Sequence, residues 1–266
     1  MKRHIFSYDI EQVAPYIDWS YLLHAWGIKE AENAEEVMHD AGLILEEMQG
    51  RYCTKGIFAL FDAAGKGDDI ILEGTALPLL RQQHARSGEP NLCLSDFVSP
   101  HGDKAGLFAT SVPAEFGEEY RNDEYRYILA QTLADRLAEA TATLMHREVR
   151  TQTHLWGYAL NEQLTPEQLN REEYQGIRPA VGYPSLPDQS IIFIIDKLLG
   201  MNEIGISLTP NGAMHPHASV CGIMLHHPAS HYFAVGKINE EQLKDYAFRR
   251  GVSPDEVKKF LAKNMQ

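Results

Sequence analysis

Residues 176–188 read GIRPAVGYPSLPD, and this stretch is the most informative in the chain. Its three prolines and two glycines cannot continue a helix or a central β-strand, so they predict an extended, rigid loop. Arg178 adds a planar charged fork suited to a carboxylate or phosphate, Gly182 permits a positive φ or the close approach of a flat ligand, and Tyr183 adds a ring and a hydroxyl. The pattern favours a ligand-binding loop, and a purely structural turn is the alternative.

Length, charge and composition limit the classes to which the protein can belong. The chain has 266 residues, 44% of them hydrophobic, enough for one large domain or two small ones. Its net charge of −13 argues against a nucleic-acid partner. The longest apolar run, residues 191–195, is far shorter than the roughly 20 residues that span a bilayer, so no membrane partner is expected. Cys53, Cys93 and Cys221 form no Cys-x-x-Cys pair, which favours a cytoplasmic location.

Hydrophobic periodicity predicts one α+β domain over residues 1–266, with a twisted, mostly antiparallel β-sheet and helices packed around it. The predicted helices cover 10–26, 34–49, about 117–150, a short segment from 165, 188–199, and two closing segments that start at 239 and 253. The predicted strands cover 56–61, 69–72, 92–98, 106–110, 203–209, 219–225 and 232–238.

An acidic pair stands out on the long predicted helix. Asp135 and Glu139 are four residues apart, nearly opposite the apolar stripe, and like charges at that spacing cost a bare helix a few tenths of a kcal/mol. The pair is either part of a solvated face or an acidic site for a cation or a partner.

Five histidines in the last third suggest a metal at first sight: His215, His217, His226, His227 and His231. No cysteine or carboxylate accompanies them at a familiar zinc spacing, which favours structural or surface roles over a metal site. The chain also contains no Gly-x-Ser-x-Gly nucleophile motif, no P-loop and no His-Glu-x-x-His zinc motif. A binding site without an internal nucleophile remains. Arg178 would take a carboxylate, and Asp18 and Glu139 would take positive charge, as a zwitterion with a second cationic group requires.

The chain closely resembles the reactivation domain of cobalamin-dependent methionine synthase, the S-adenosylmethionine-binding module at that enzyme's C-terminus. The resemblance runs from about residue 13 to residue 261. The matching stretches, in order, are YIDW at 16–19, GDDI at 67–70, LRQQ at 80–83, CLSDFV at 93–98, ADRLAEA at 134–140, WGYA at 156–159, the loop at 176–188, ASVCG at 218–222 and HPASHY at 227–232.

The resemblance implies roles for particular residues. Those implied to contact S-adenosylmethionine are Asp18, Glu139, Arg178, Ala180, Gly182, Tyr183 and Tyr232. Asp135 matches a position that the family places at the contact with the cobalamin domain. On this basis the acidic pair is expected to have a function. No residue is implied to act as a catalytic group or a metal ligand.

The implied activity is reductive methylation of cob(II)alamin to methylcobalamin, the step that reactivates methionine synthase, a methyltransferase of methionine biosynthesis. S-adenosylmethionine would give the methyl group, and flavodoxin or another donor would give the electron. The chain contains no Asp-x-His-x-x-Gly cobalamin motif, so we expect a stand-alone subunit that acts in trans on a cobalamin-binding partner. The alternative is an S-adenosylmethionine sensor or accessory module without methyl transfer.

Overall fold

A six-stranded antiparallel sheet forms the centre of the computed structural model, which describes residues 2–28 and 31–266. The strand order is β4-β3-β2-β5-β8, with β1 also paired to β2, and β6 and β7 form a separate two-stranded ribbon. In chain order the strands are β1 (Arg3–Asp9), β2 (Cys53–Lys66), β3 (Asp69–Leu72), β4 (Thr75–Pro78), β5 (Asp103–Ser111), β6 (Ser207–Leu208), β7 (Met214–His215) and β8 (Ser219–Met224).

Helices cover both faces of this sheet and complete the single α+β domain that the sequence predicts. They are α1 (Ile10–Val13), α2 (Trp19–Ala25), α3 (Ala31–Met48), α4 (Glu124–Thr151), α5 (Pro166–Asn170), α6 (Ile192–Leu199), α7 (Glu240–Arg250) and α8 (Pro254–Phe260). None of the described helices is long and apolar enough to cross a membrane.

The two faces of the sheet bury different side chains, because successive residues of a strand point to opposite sides. Phe58 of β2 lies opposite Phe108 of β5, and both pack into the core shared with α4. Their neighbours Ile57 and Leu107 point to the other face and join the core that contains α6. The period of two in the central strands therefore produces a core on each side of the sheet.

Helix α4 brings the acidic pair to the edge of the site described below. Its predicted apolar stripe, which includes Leu133 and Leu137, is buried as expected. The helix begins at Glu124 rather than near residue 117, because Asp123 caps it by accepting a hydrogen bond from the Arg126 N–H at 3.1 Å.

Other predicted boundaries needed correction. Residues 10–26 form two short helices separated by a 3-10 turn at Ala14–Tyr16. Residues 92–98 are not a strand: they contain a 3-10 turn at Leu94–Phe97, where Asp96 accepts the Cys93 N–H at 2.8 Å. Residues 232–238 do not form a regular strand either, and residues 203–209 form one only at Ser207–Leu208. Strand β1 was not predicted.

The loop at 176–188 lies directly on the last strand of the sheet. Ile177 bridges to Leu225, and Ala180 bridges to Gly222 of β8. A β-carbon on Gly222 would overlap the carbonyl oxygen of Pro179 and lie 2.9 Å from the Cα of Ala180. Glycine is therefore required at position 222 so that the loop can approach the sheet.

We predict that Gly222→Ala lowers the free energy of unfolding by about 1–3 kcal/mol, because the atoms that the methyl group meets are backbone atoms that cannot rotate away. Urea denaturation measures the effect. Gly42→Ala is the matched control: a β-carbon there meets nothing within 4 Å, and alanine favours its helix by about 1 kcal/mol. Equal stability of Gly222→Ala and the unaltered chain would show that the loop does not need this close approach.

Candidate functional site

A cavity of about 570 Å³ opens between the start of α2, the middle of α4 and the 176–188 loop. Further walls come from residues 169–172 and 232–234. The structure brings most of the predicted ligand residues together here, since the lining includes Asp18, Glu139, Arg178, Ala180, Tyr183 and Tyr232. Gly182 and Asp135 do not line this cavity.

Two arginines line this cavity: Arg136, whose guanidinium lies over the ring of Tyr21, and Arg178, which belongs to the 176–188 loop. Arg178 Nη2 donates to the Thr143 hydroxyl at 2.7 Å, and its backbone N–H donates to the Tyr232 hydroxyl at 2.9 Å. Its Nε is buried and has no hydrogen-bond partner among the described residues. No described carboxylate lies within ion-pair distance, whereas the buried Arg150 and Arg250 each contact one. Arg178 is therefore a preformed site for an anion.

The loop that carries Arg178 is tied to β8 by its backbone. The Ile223 N–H donates to Pro179 O at 3.1 Å, and the Val181 N–H donates to Cys221 O at 2.9 Å. Gly182 then turns the chain with a φ of 87°, in the left-handed region that glycine adopts without strain. The positive φ is one of the two possibilities that the sequence left open for Gly182.

A buried ion pair fixes the far end of the loop. Asp188 accepts a hydrogen bond from Arg250 Nη1 at 2.6 Å and another from the Tyr246 hydroxyl at 2.7 Å. Its other oxygen accepts the Ser190 N–H at 2.8 Å. The side chains of Asp188 and Arg250 are 2% and 7% exposed, so water does not compete with this pair. Helix α7 thereby holds the loop from behind.

The rim of the cavity joins the loop to α4. The Tyr183 hydroxyl donates to Glu139 at 2.7 Å, and burial, with the charge of Glu139, raises the pKa of Tyr183 above its usual value, so the phenol keeps its proton. Asp135 lies one helical turn away, in a smaller adjoining cavity of about 200 Å³ that Glu139 and Tyr183 also line. Burial raises the pKa of Asp135, as does Glu139, while His217, at 3.7 Å, and Arg136 oppose the rise. The acidic pair is thus part of a cavity rim rather than a freely solvated face.

Asp18 serves as a helix cap at the opposite wall. Its Oδ1 accepts the Ser20 N–H at 3.0 Å at the start of α2. The Ser20 hydroxyl bonds to the same oxygen, so Oδ2 stays available to accept a hydrogen bond from a ligand.

Comparison with known proteins places this arrangement in a family. The sequence model of the vitamin B12-dependent methionine synthase activation domain matches residues 9–251. The chain belongs to this family. The fold is also similar to a crystal structure of the MetH reactivation domain bound to AdoHcy, with a TM-score of 0.93 and 36% sequence identity, over 100% of this chain and 90% of that one. The resemblance and the fold class predicted from the sequence are confirmed.

Thr143 and Glu172 are among the lining residues of this activation domain that the sequence did not predict. Thr143 lies four residues after Glu139 on α4, so helical spacing could have indicated it. Glu172 lines the cavity from a backbone with a φ of 59°, a left-handed conformation that is uncommon outside glycine. Nothing in the sequence around position 172 signals that conformation.

The histidines of the activation domain are dispersed among separate contacts. His226 Nε2 lies 2.7 Å from Asp103, while His227 and His231 lie near the ring of Phe97. Within residues 2–28 and 31–266, no group of three or more His, Cys, Asp or Glu side chains could hold a metal ion.

We predict that Arg178→Met changes the free energy of unfolding by less than about 1 kcal/mol, or raises it, because the chain supplies only one neutral hydrogen bond to a cation that is costly to bury. Arg250→Met is the matched control and should cost about 3–5 kcal/mol, since it leaves Asp188 buried without its partner. Urea denaturation of both variants measures the difference. Equal losses would mean that the protein itself compensates the charge of Arg178.

Proposed function

We propose that this chain binds S-adenosylmethionine and supports the reductive methylation of cob(II)alamin to methylcobalamin, and so reactivates a cobalamin-dependent methionine synthase in trans. The observation that carries the proposal is the unneutralised guanidinium of Arg178 in the wall of a cavity of about 570 Å³. That volume falls within the range of roughly 300–1,000 Å³ typical of small-molecule sites.

The charges of the cavity fit the charges of this ligand. S-adenosylmethionine carries a carboxylate, an ammonium and a sulfonium. Arg178 would accept the carboxylate in its planar fork, and Asp18 would accept the ammonium. Glu139 and Glu172 add negative charge that favours a cationic ligand. The similar MetH domain was crystallised with AdoHcy, the compound that remains when S-adenosylmethionine loses its methyl group, and this supports the same class of ligand here.

The residues would contribute by positioning and electrostatics rather than by covalent catalysis. Arg178 is held by Thr143 and by the loop, so a carboxylate bound to it would be fixed relative to the rim. Ala180 lines the cavity beside it, on a backbone that is tied to β8. Tyr183 and Tyr21 would cover the ligand with aromatic rings. These contacts would present the sulfonium methyl group in one orientation.

Cobalamin carried by the partner would supply the reduced cobalt that accepts the methyl group. The transfer would leave S-adenosylhomocysteine on this chain, and one electron would come from a flavodoxin-like or other donor. The structural match to the reactivation domain extends over 100% of this chain. Asp135, outside the main cavity and beside its rim, is the proposed contact to the cobalamin-carrying partner.

We predict that the chain, with an electron donor and S-adenosylmethionine, restores activity to an oxidised cobalamin-dependent methionine synthase that lacks its own activation domain.

Arg178→Met should weaken S-adenosylmethionine binding, measured by calorimetry, by at least about tenfold, or 1.4 kcal/mol. Asp135→Asn should keep the affinity within about twofold and lose most of the reactivation, because Asp135 does not line the main cavity.

The two variants separate the possible failures of this proposal. Normal reactivation by Asp135→Asn would contradict the partner contact alone. Tight binding of S-adenosylmethionine without reactivation of any corrinoid partner would favour the sensor alternative. No binding by the unaltered chain would overturn the proposed ligand.

A further inference from the structure

Tyr174 lies behind the wall of the cavity and does not line it. It is 8% exposed, and its hydroxyl oxygen lies 3.1 Å from that of Tyr232. Tyr232 does line the cavity, and its hydroxyl accepts the backbone N–H of Arg178 at 2.9 Å. Two hydrogen bonds therefore connect a residue outside the cavity to the backbone of its anion-binding arginine.

The ring of Tyr174 is itself held from two sides. The guanidinium of Arg150 lies over it, 4.4 Å from the ring centroid, and the ring of His146 meets it edge-on at 5.0 Å and 86°. Arg150 is fully buried and is fixed by Glu162, with Nε to Oε2 at 2.9 Å. This packing leaves Tyr174 little freedom, so the position of its hydroxyl is set before any ligand arrives.

We propose that Tyr174 is a positioning residue of the ligand site: its hydrogen bond to Tyr232 fixes the backbone of Arg178 and leaves the Tyr232 hydroxyl hydrogen free for a ligand. This inference rests on the proposed function, since it concerns the binding of S-adenosylmethionine in the same cavity. Tyr174 would act through Tyr232 and Arg178 and would not touch the ligand.

The donors and acceptors support this assignment. A phenol hydroxyl has one hydrogen to donate and can accept two. Tyr232 already accepts from Arg178, and if it also accepts from Tyr174, its own hydrogen is left for the cavity. The positive charge of Arg150 over the Tyr174 ring polarises that phenol and strengthens it as the donor. Burial raises the pKa of Tyr232 well above its usual value, and the neighbouring Tyr174 raises it further, so the Tyr232 hydroxyl keeps its hydrogen.

The test uses Tyr174→Phe in the full chain, with Tyr158→Phe as the matched control. The Tyr158 hydroxyl belongs to the same cluster and bonds to His146 Nε2 at 3.0 Å, but it does not contact Tyr232. We expect Tyr174→Phe to weaken S-adenosylmethionine binding by about three- to tenfold, the effect of one hydrogen bond, and Tyr158→Phe to change it by less than about twofold. In a Tyr232→Phe background the Tyr174 substitution should have no further effect, because the bond that it removes is already lost.

A second readout does not depend on the ligand. In 15N-labelled protein without ligand, the backbone amide resonance of Arg178 should move in Tyr174→Phe and stay near its original position in Tyr158→Phe, because only the first change disturbs the acceptor of that amide. A purely structural role would lower the thermal midpoint of both variants and leave this amide in place.

The outcomes decide the proposal. Affinity within about twofold of the unaltered chain together with an unmoved Arg178 amide would overturn the role of Tyr174, as would equal losses of affinity in Tyr174→Phe and Tyr158→Phe. If the unaltered chain fails to bind S-adenosylmethionine, the proposed function is wrong, and the amide resonance still decides whether Tyr174 positions Arg178.

Discussion

The guanidinium of Arg178, held in the cavity wall without a carboxylate, is the feature on which the site depends. A buried cation is costly unless it is paired, and this chain pairs its buried Arg150 and Arg250 with Glu162 and Asp188. At position 178 it provides a threonine hydroxyl, and no described carboxylate lies within ion-pair distance. We propose that the ligand supplies the missing anion, which would give the cavity a preference for a carboxylate.

The surrounding structure keeps that cation in place. The loop on either side of it is bonded to β8 and to Leu225, which follows that strand, and Gly222 permits this approach by lacking a side chain. The loop ends at Asp188, which the buried Arg250 of α7 neutralises. Helix α4 supplies Thr143 beneath the guanidinium and Glu139 at the rim. Elements distant in sequence thus converge on one binding loop, and helix α7 supports the site without lining it.

Much of this could be predicted from local sequence. Prolines and glycines identify the loop, the apolar stripe identifies α4, and ordered motifs identify the activation-domain family. The prediction failed where tertiary contacts override local pattern: the apolar run at 92–98 is buried through a 3-10 turn rather than a strand. Glu172 and Tyr174 could not be found from sequence, because a left-handed backbone and a hydrogen bond across 58 residues leave no local signal.

The most direct test of this account is a crystal structure of the chain grown with S-adenosylmethionine. The account predicts the methionyl carboxylate within hydrogen-bond distance of the Arg178 guanidinium, with the amino group at Asp18. A ligand bound elsewhere, or bound in this cavity with its carboxylate away from Arg178, would contradict the central claim that the chain leaves this arginine unpaired for the ligand.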